Sequence, residues 1–155
     1  MPAQKVREFL NEHSVKYATI IHSPAFTAQE IAASAHVPGR ELAKTVMVEV
    51  DGKMAMAVLT ASQRVNLEEL QESIGAAEVQ LACEKEFADL FPGCEVGAMP
   101  PFGNLYHMDV FVAPELSENE YIAFNAGSHT ELIRMRYADF AEHVQPKVIE
   151  FAGVR

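Results

Sequence analysis

Asp51-Gly52 stands between two β-rich runs, Thr45 to Val50 and Lys53 to Thr60, and this feature does most to limit the fold. A two-residue connection between strands requires positive φ at both turn positions, which Asp and Gly tolerate, so the centre of the chain reads as a hairpin. The segments around it carry helical as well as strand periods. Val6, Phe9, Leu10 and His13 recur at helical spacing, which predicts a helix over 3–13 followed by a strand from Tyr17 to Ile21. Thr27-Ala28-Gln29-Glu30 has the capping-box form and opens a helix over about 27–35, broken by Val37-Pro38-Gly39-Arg40. Asn66 starts another, with Leu67, Leu70 and Ile74 on one face and Gly75 closing it.

Beyond this point a short helix is predicted over about 83–90 and ends at Pro92-Gly93. Strands are predicted from Leu105 to Val112, Tyr121 to Asn125 and Leu132 to Met135. A helix from Tyr137 to Val144 and a last strand from Lys147 to Phe151 complete the reading. Strands lie both next to each other and across helices, which predicts an α+β chain with a mixed sheet surrounded by helices. No repeat or linker divides residues 1–155, so one domain is expected.

Charge narrows the function classes. Twelve Lys and Arg against 22 Asp and Glu give a net charge of −10, which argues against holding nucleic acid through a broad basic surface. Cys83 and Cys94 are the two cysteines, too few for a four-ligand zinc site by themselves. The opening residues carry no apolar signal core, and no run approaches the ~18 apolar residues of a membrane span, so a soluble cytoplasmic protein is expected.

Four constellations could carry chemistry. Lys44 opens a strand, where its ammonium either reaches a ligand at a sheet end or guards a solvated edge. The loop Gly97-Ala98-Met99-Pro100-Pro101-Phe102-Gly103 is stiffened by its prolines, which donate no backbone hydrogen bond, whereas the N–H groups of Gly97, Ala98 and Met99 can face a developing oxyanion. The alternative is a rigid connector. Gly127-Ser128-His129 offers a flexible backbone, a hydroxyl and an imidazole, better suited to orienting a substrate than to forming a catalytic triad. His107 and Asp109, two apart on a predicted strand, would share a face and with His22 or His129 could ligate a metal, but no recognised metal spacing is present and no metal or cofactor is expected.

Four separated segments resemble the YbaK/prolyl-tRNA-synthetase-associated family, whose domains hydrolyse mischarged aminoacyl-tRNA. They are His22-Ser23-Pro24 with Thr27, Leu42-Ala43-Lys44-Thr45, Gly97 to Gly103 with its GxxxP form, and Phe124 to Leu132. The resemblance implies a mixed, partly barrel-like sheet and an aminoacyl-tRNA deacylase acting in trans on a small amino acid carried by tRNA-Pro or a related tRNA. It implies that Lys44 holds the acceptor end's phosphate or the ester carbonyl, and that the amides of Gly97, Ala98 and Met99 stabilise the tetrahedral oxyanion. Pro100, Pro101, Phe102, Gly127, Ser128 and His129 would border the same pocket, with His22, Thr27 and Thr45 as further wall residues. Thr45 stands where some members carry asparagine, so the resemblance does not name the amino acid.

An aminoacyl ester is already activated, so water positioned against it, with proton transfer through the substrate's 2′-hydroxyl, needs neither a covalent nucleophile nor a metal. Given the charge of −10, RNA contact is expected to be weak and local, through Lys44, Arg40 and Arg64, with Arg134 and Arg136 as further candidates and an aminoacyl-tRNA synthetase as a partner that adds affinity. Membrane and DNA are not expected as partners. The rival readings are a non-catalytic module that senses a small amino acid or docks on a synthetase, and a metal hydrolase.

Overall fold

The computed structural model describes residues 4–22, 33, 35, 37–83, 85, 90–91 and 98–154. The predicted helices over 27–35 and 83–90, together with Ser23, Pro24, Thr27, Cys94 and Gly97, lie largely or wholly outside them. Ten strands are described: β1 (Tyr17–Ile21), β2 (Leu42–Val50), β3 (Lys53–Thr60), β4 (Gln63–Val65), β5 (Val79–Leu81), β6 (Asp109–Val112), β7 (Tyr121–Asn125), β8 (Glu131–Arg136), β9 (Lys147–Val148) and β10 (Ala152–Val154). The helices whose bounds are described are α1 (Gln4–Glu12), α2 (Leu67–Ile74), α3 (Pro114–Ser117) and α4 (Tyr137–Val144).

The hairpin forms as predicted. Asp51 and Gly52 take φ of +50° and +83°, and Val50 pairs with Lys53 at its mouth. Asp51 also uses its carboxylate to accept from the Ala77 and Glu78 amides, at 2.9 and 2.8 Å, which fixes the approach to β5. At α2 the Asn66 carboxamide accepts from the Glu69 amide at 3.0 Å, and Gly75 ends the helix in the left-handed region at φ +69°. Both caps satisfy main-chain groups that a short helix leaves without partners.

The main sheet runs β1-β8-β7-β2-β3-β6-β9, with β5 also paired to β2. It is mixed: β2 lies parallel to β7 and β3 parallel to β6, while the hairpin and the β7–β8 and β1–β8 pairs are antiparallel. β1 and β9 are the ends of this path, so the described strands curve without closing a barrel. One face packs against α1 and α4 through Val6, Leu10, Phe102, Phe124 and Phe140; the other packs against α2 through Leu59, Leu70, Phe111 and Phe151.

Several boundaries differ from the sequence reading. Residues Gly103–Leu105 form a 3₁₀ turn, and the strand starts only at Asp109. Leu105, Tyr106 and Met108 owe their apolar character to packing on the core beside α1 rather than to strand alternation. His107 sits in that turn at φ +58°, so it does not share a strand face with Asp109. Of the last predicted strand, Lys147 to Phe151, only β9 forms, paired with β6; β10, paired with β4, lies beyond it, and Phe151 between them is fully buried with its carbonyl accepting from the Asn66 amide at 2.7 Å.

Candidate active site

β2 carries the site because its two edges are unequal. Along one edge β3 pairs with it continuously from Ala43 to Val50. Along the other, β7 pairs only at Leu42 and Ala43, and β5 only from Val48 to Val50, with the Ala82 amide donating to the Met47 carbonyl at 3.0 Å. Among the described residues, Lys44 to Val46 have no strand neighbour on that edge, so the sheet forks there. Lys44 is half-buried at the fork. Its Nζ lies 3.5 Å from the Ala61 carbonyl. Burial, and secondarily the positive charge of Arg64 on β4, hold its pKa below the ordinary lysine value of 10.5.

The other segments meet the same end of the sheet. The Gly127 amide donates to the Ala98 carbonyl at 2.9 Å, which ties the proline-rich loop to the turn after β7, and Gly127 makes that turn at φ +88°. The His22 amide donates to the Thr130 carbonyl at 2.9 Å, which brings the residue after β1 to the same turn. Ser128 is buried, and its hydroxyl lies 3.3 Å from that of Thr130; His22 is buried and His129 half-buried beside them. Thus Ala98, the Gly127 to Thr130 turn and His22 are joined through main chain, beyond the end of β7 that pairs with the start of β2 before Lys44, although they are far apart in the chain.

Within the loop, side chains and main chain face different tasks. Ala98, Met99, Pro100 and Pro101 are buried, and Phe102 is fully enclosed against Phe9, Phe124 and Phe140, with ring centroids 6.1, 5.5 and 5.5 Å away. No acceptor among the described residues takes the Ala98 or Met99 N–H. Phe102 therefore offers the site anchorage of the loop. Strand alternation sends Thr45 to the face of Ala43 and Met47, opposite to Lys44.

Arg40 and Arg64 are exposed, Arg40 on the turn that enters β2. Arg134 is occupied, 3.3 Å from the Glu41 carboxylate and stacked 4.2 Å over the Tyr121 ring. Arg136 lies at the far end of β8, on a cleft of about 470 Å³ with His13, Asp139 and His143, which shares no residue with the fork. Among the described residues no three His, Cys, Asp or Glu side chains are placed to hold a metal. No helix of the described residues is long and apolar enough to cross a membrane.

Comparison with known proteins adds to this geometry. Residues 22–143 match the aminoacyl-tRNA editing domain family. The chain belongs to that family. The match begins at His22 and takes in Lys44, the proline-rich loop and the Gly127 turn, so every segment that meets at the fork falls inside the editing domain. Among curated relatives, the multifunctional Ser/Thr-tRNA deacylase ProXp-y of Escherichia coli (strain K12) is 26% identical over 153 residues, covering 96% of this chain and 91% of the relative. A proline–tRNA ligase of Bacillus mycoides (strain KBAB4) is 28% identical over 75 residues, 48% of this chain but 13% of the ligase. The crystal structure of a proposed trans-editing enzyme for prolyl-tRNA synthetase superimposes with a TM-score of 0.81 at 17% identity, covering 97% of this chain and 96% of the other. A hypothetical protein of known structure gives a TM-score of 0.84 at 23% identity, covering 97% of this chain and all of the other. These two likenesses concern the fold.

Asn125, the last residue of β7, lies within the Phe124 to Leu132 segment of the resemblance but is not singled out there; it follows directly on the last β2–β7 pair, Ala43 with Phe124.

Proposed function

We propose that this chain, acting as one editing domain over residues 1–155, is a trans-acting aminoacyl-tRNA deacylase that removes a small amino acid from a mischarged tRNA in the cytoplasm. The observation that supports this reading is the main-chain link from Ala98 to the Gly127 turn, beyond the end of β7 that pairs with the start of β2 before Lys44, all within the family's matched span. Water attacks the ester carbonyl carbon; the oxyanion that forms is held by the N–H groups of Gly97, Ala98 and Met99, and collapse breaks the bond to the ribose oxygen. The neighbouring ribose hydroxyl carries the proton to that leaving oxygen. Lys44 supplies a cation at the fork, toward the ester carbonyl or the terminal phosphate. Preorganised donors of this kind stabilise charge as it develops, which suits a substrate that needs positioning more than activation. Because a pocket separates amino acids that differ by one methylene only by about 1–3 kcal/mol, synthetases gain from a second hydrolytic sieve of this type.

The decisive experiment offers the purified protein alanyl, cysteinyl, seryl, threonyl and prolyl esters on proline, cysteine and other tRNAs. Selective release of one amino acid is expected. Survival of every ester at enzyme levels well above trace would replace the deacylase with a binding module.

Arg40 and Arg64 supply the local electropositive contact that an acidic chain needs, and a synthetase partner adds affinity. Changing both to Ala is expected to weaken tRNA binding and to flatten its dependence on salt by about two phosphate contacts' worth of slope, measured by titration between low and physiological salt. Unaltered affinity and slope would remove these residues from the interface.

A further inference from the structure

Helix α1 carries a charged side chain that the mechanism above does not use. The Arg7 guanidinium donates through one Nη to Thr19 Oγ1 at 2.8 Å and through the other to Glu131 Oε2 at 3.0 Å. Thr19 belongs to β1 and Glu131 opens β8; Ile21 stands opposite Glu131 and Thr19 opposite Ile133, so alternation puts both acceptors on one face of the strand pair. One planar fork of donors therefore spans two strands. The ion pair is largely removed from water, its side chains 14% and 23% exposed, and the Arg7 Nε is buried with no acceptor among the described residues. A part-buried ion pair with a donor left over is a poor source of stability, because an apolar pair of similar volume avoids the desolvation cost. What such a pair fixes well is direction.

Glu131 is where that direction counts. Its carbonyl accepts from the Ala126 amide at 3.0 Å and so closes the turn that holds Gly127, Ser128, His129 and Thr130. The carbonyl of Thr130, one residue earlier, accepts from the His22 amide at 2.9 Å. Arg7 thus clamps the two strands from which this turn and His22 extend. Arg7 and Thr19 precede the span matched to the editing family, whereas Glu131 lies inside it. We infer that Arg7 is a positioning residue that, acting through Glu131, sets the path of Gly127 to Thr130 against the reacting ester. This rests on the deacylase reading and assigns part of its geometry to a helix outside the matched span. A guanidinium suits the task better than an ammonium, since its rigid fork reaches two acceptors at once. Misplacing a site by about 1 Å costs about 10²-fold in rate even where the reacting groups are untouched.

The test measures kcat, KM and melting temperature for R7M, R7K and the double variant R7M/E131L, at a temperature where each is folded, on the ester of the panel above that the wild type releases. R7M is expected to lower kcat by about 10–10²-fold with KM changed by no more than about 3-fold, and to melt below the wild type because Glu131 loses its partner. R7K keeps the charge but not the fork, and is expected to recover only part of the rate. In R7M/E131L an apolar pair replaces the ion pair, so the melting temperature is expected to return toward the wild type while kcat stays as low as in R7M. An arginine with a merely structural role would not give that split, since its rate would recover with its stability. Wild-type kcat in folded R7M, a loss confined to KM, or a rate restored in R7M/E131L along with its melting temperature would overturn the inference while leaving the deacylase in place. Should R7M fail to fold, wild-type kcat in R7K overturns it equally. A wild type inert toward every ester would overturn the deacylase reading and this inference with it.

Discussion

Replacing Lys44 with Met is expected to lower single-turnover deacylation by about 10²–10³-fold, the usual cost of losing one preorganised charge-stabilising group. The protein should nevertheless remain folded, with a melting temperature at or above that of the wild type. The sign follows from the environment: burial first, and the Arg64 charge second, disfavour the ammonium and hold its pKa below 10.5. Between that lowered pKa and 10.5 the unfolded chain binds more protons than the folded one, so stability rises with pH across this window; below it, ionised Lys44 is a standing cost to the fold. Methionine removes that cost. The same lysine sets an alkaline limit to activity, since a charged Lys44 is lost as pH climbs through its folded pKa. R64Q should move that limit upward, though only in part, because burial is the larger cause. Rates between pH 7 and 10, corrected for spontaneous ester hydrolysis, check both points. A K44M enzyme with undiminished rate, or one that fails to fold, would contradict this account.

The second large effect is expected at the loop anchor. Phe102 is completely buried among Phe9, Phe124 and Phe140, so F102A should destabilise the protein by about 3–5 kcal/mol, or roughly 6–20 °C in melting temperature. G103A acts at the same place by crowding. A Cβ there would stand 2.7 Å from Val110 Cγ2 and 2.8 Å from the Met108 carbonyl oxygen, and the second contact is with main chain that no rotamer change can move. About 1–3 kcal/mol is expected from that substitution. Thermal melts give the stability, and deacylation at a temperature where both variants are folded gives the rate. Because the loop's main chain is placed by this anchor, F102A should lose activity even while folded. A folded F102A with wild-type turnover would show that the loop holds its path without the ring.

How much of this was legible beforehand depended on how local the determining interaction is. Asp51-Gly52 and the Asn66 and Gly75 caps were readable because each acts on its own neighbours. β4 and β5 were not, since three residues carry no measurable alternation and their strand character comes from β10 and β2 far away in the chain. The start of β2 at Leu42 was missed for the same reason: it is set by pairing with β7 and β3. At the site, the residues alone left Lys44 and the proline-rich loop open to a structural role, and the resemblance to the editing family singled them out. That Lys44 and Thr45 face opposite ways and that Phe102 is an anchor follow from register and burial, which a list of residues does not contain.

In the proposed mechanism, the buried side chains of Ala98 and Met99 mean that this loop would offer its substrate peptide N–H groups rather than functional groups. Alanine scanning would pass over such a site: position 98 is alanine already, and Met99→Ala trims the core while leaving the amide intact. Drift in the side chains is tolerated wherever packing allows it, so distant relatives can share the chemistry with few shared letters. Only a change to the backbone itself, an amide-to-ester replacement at residue 98 or 99, would register there as a loss of rate.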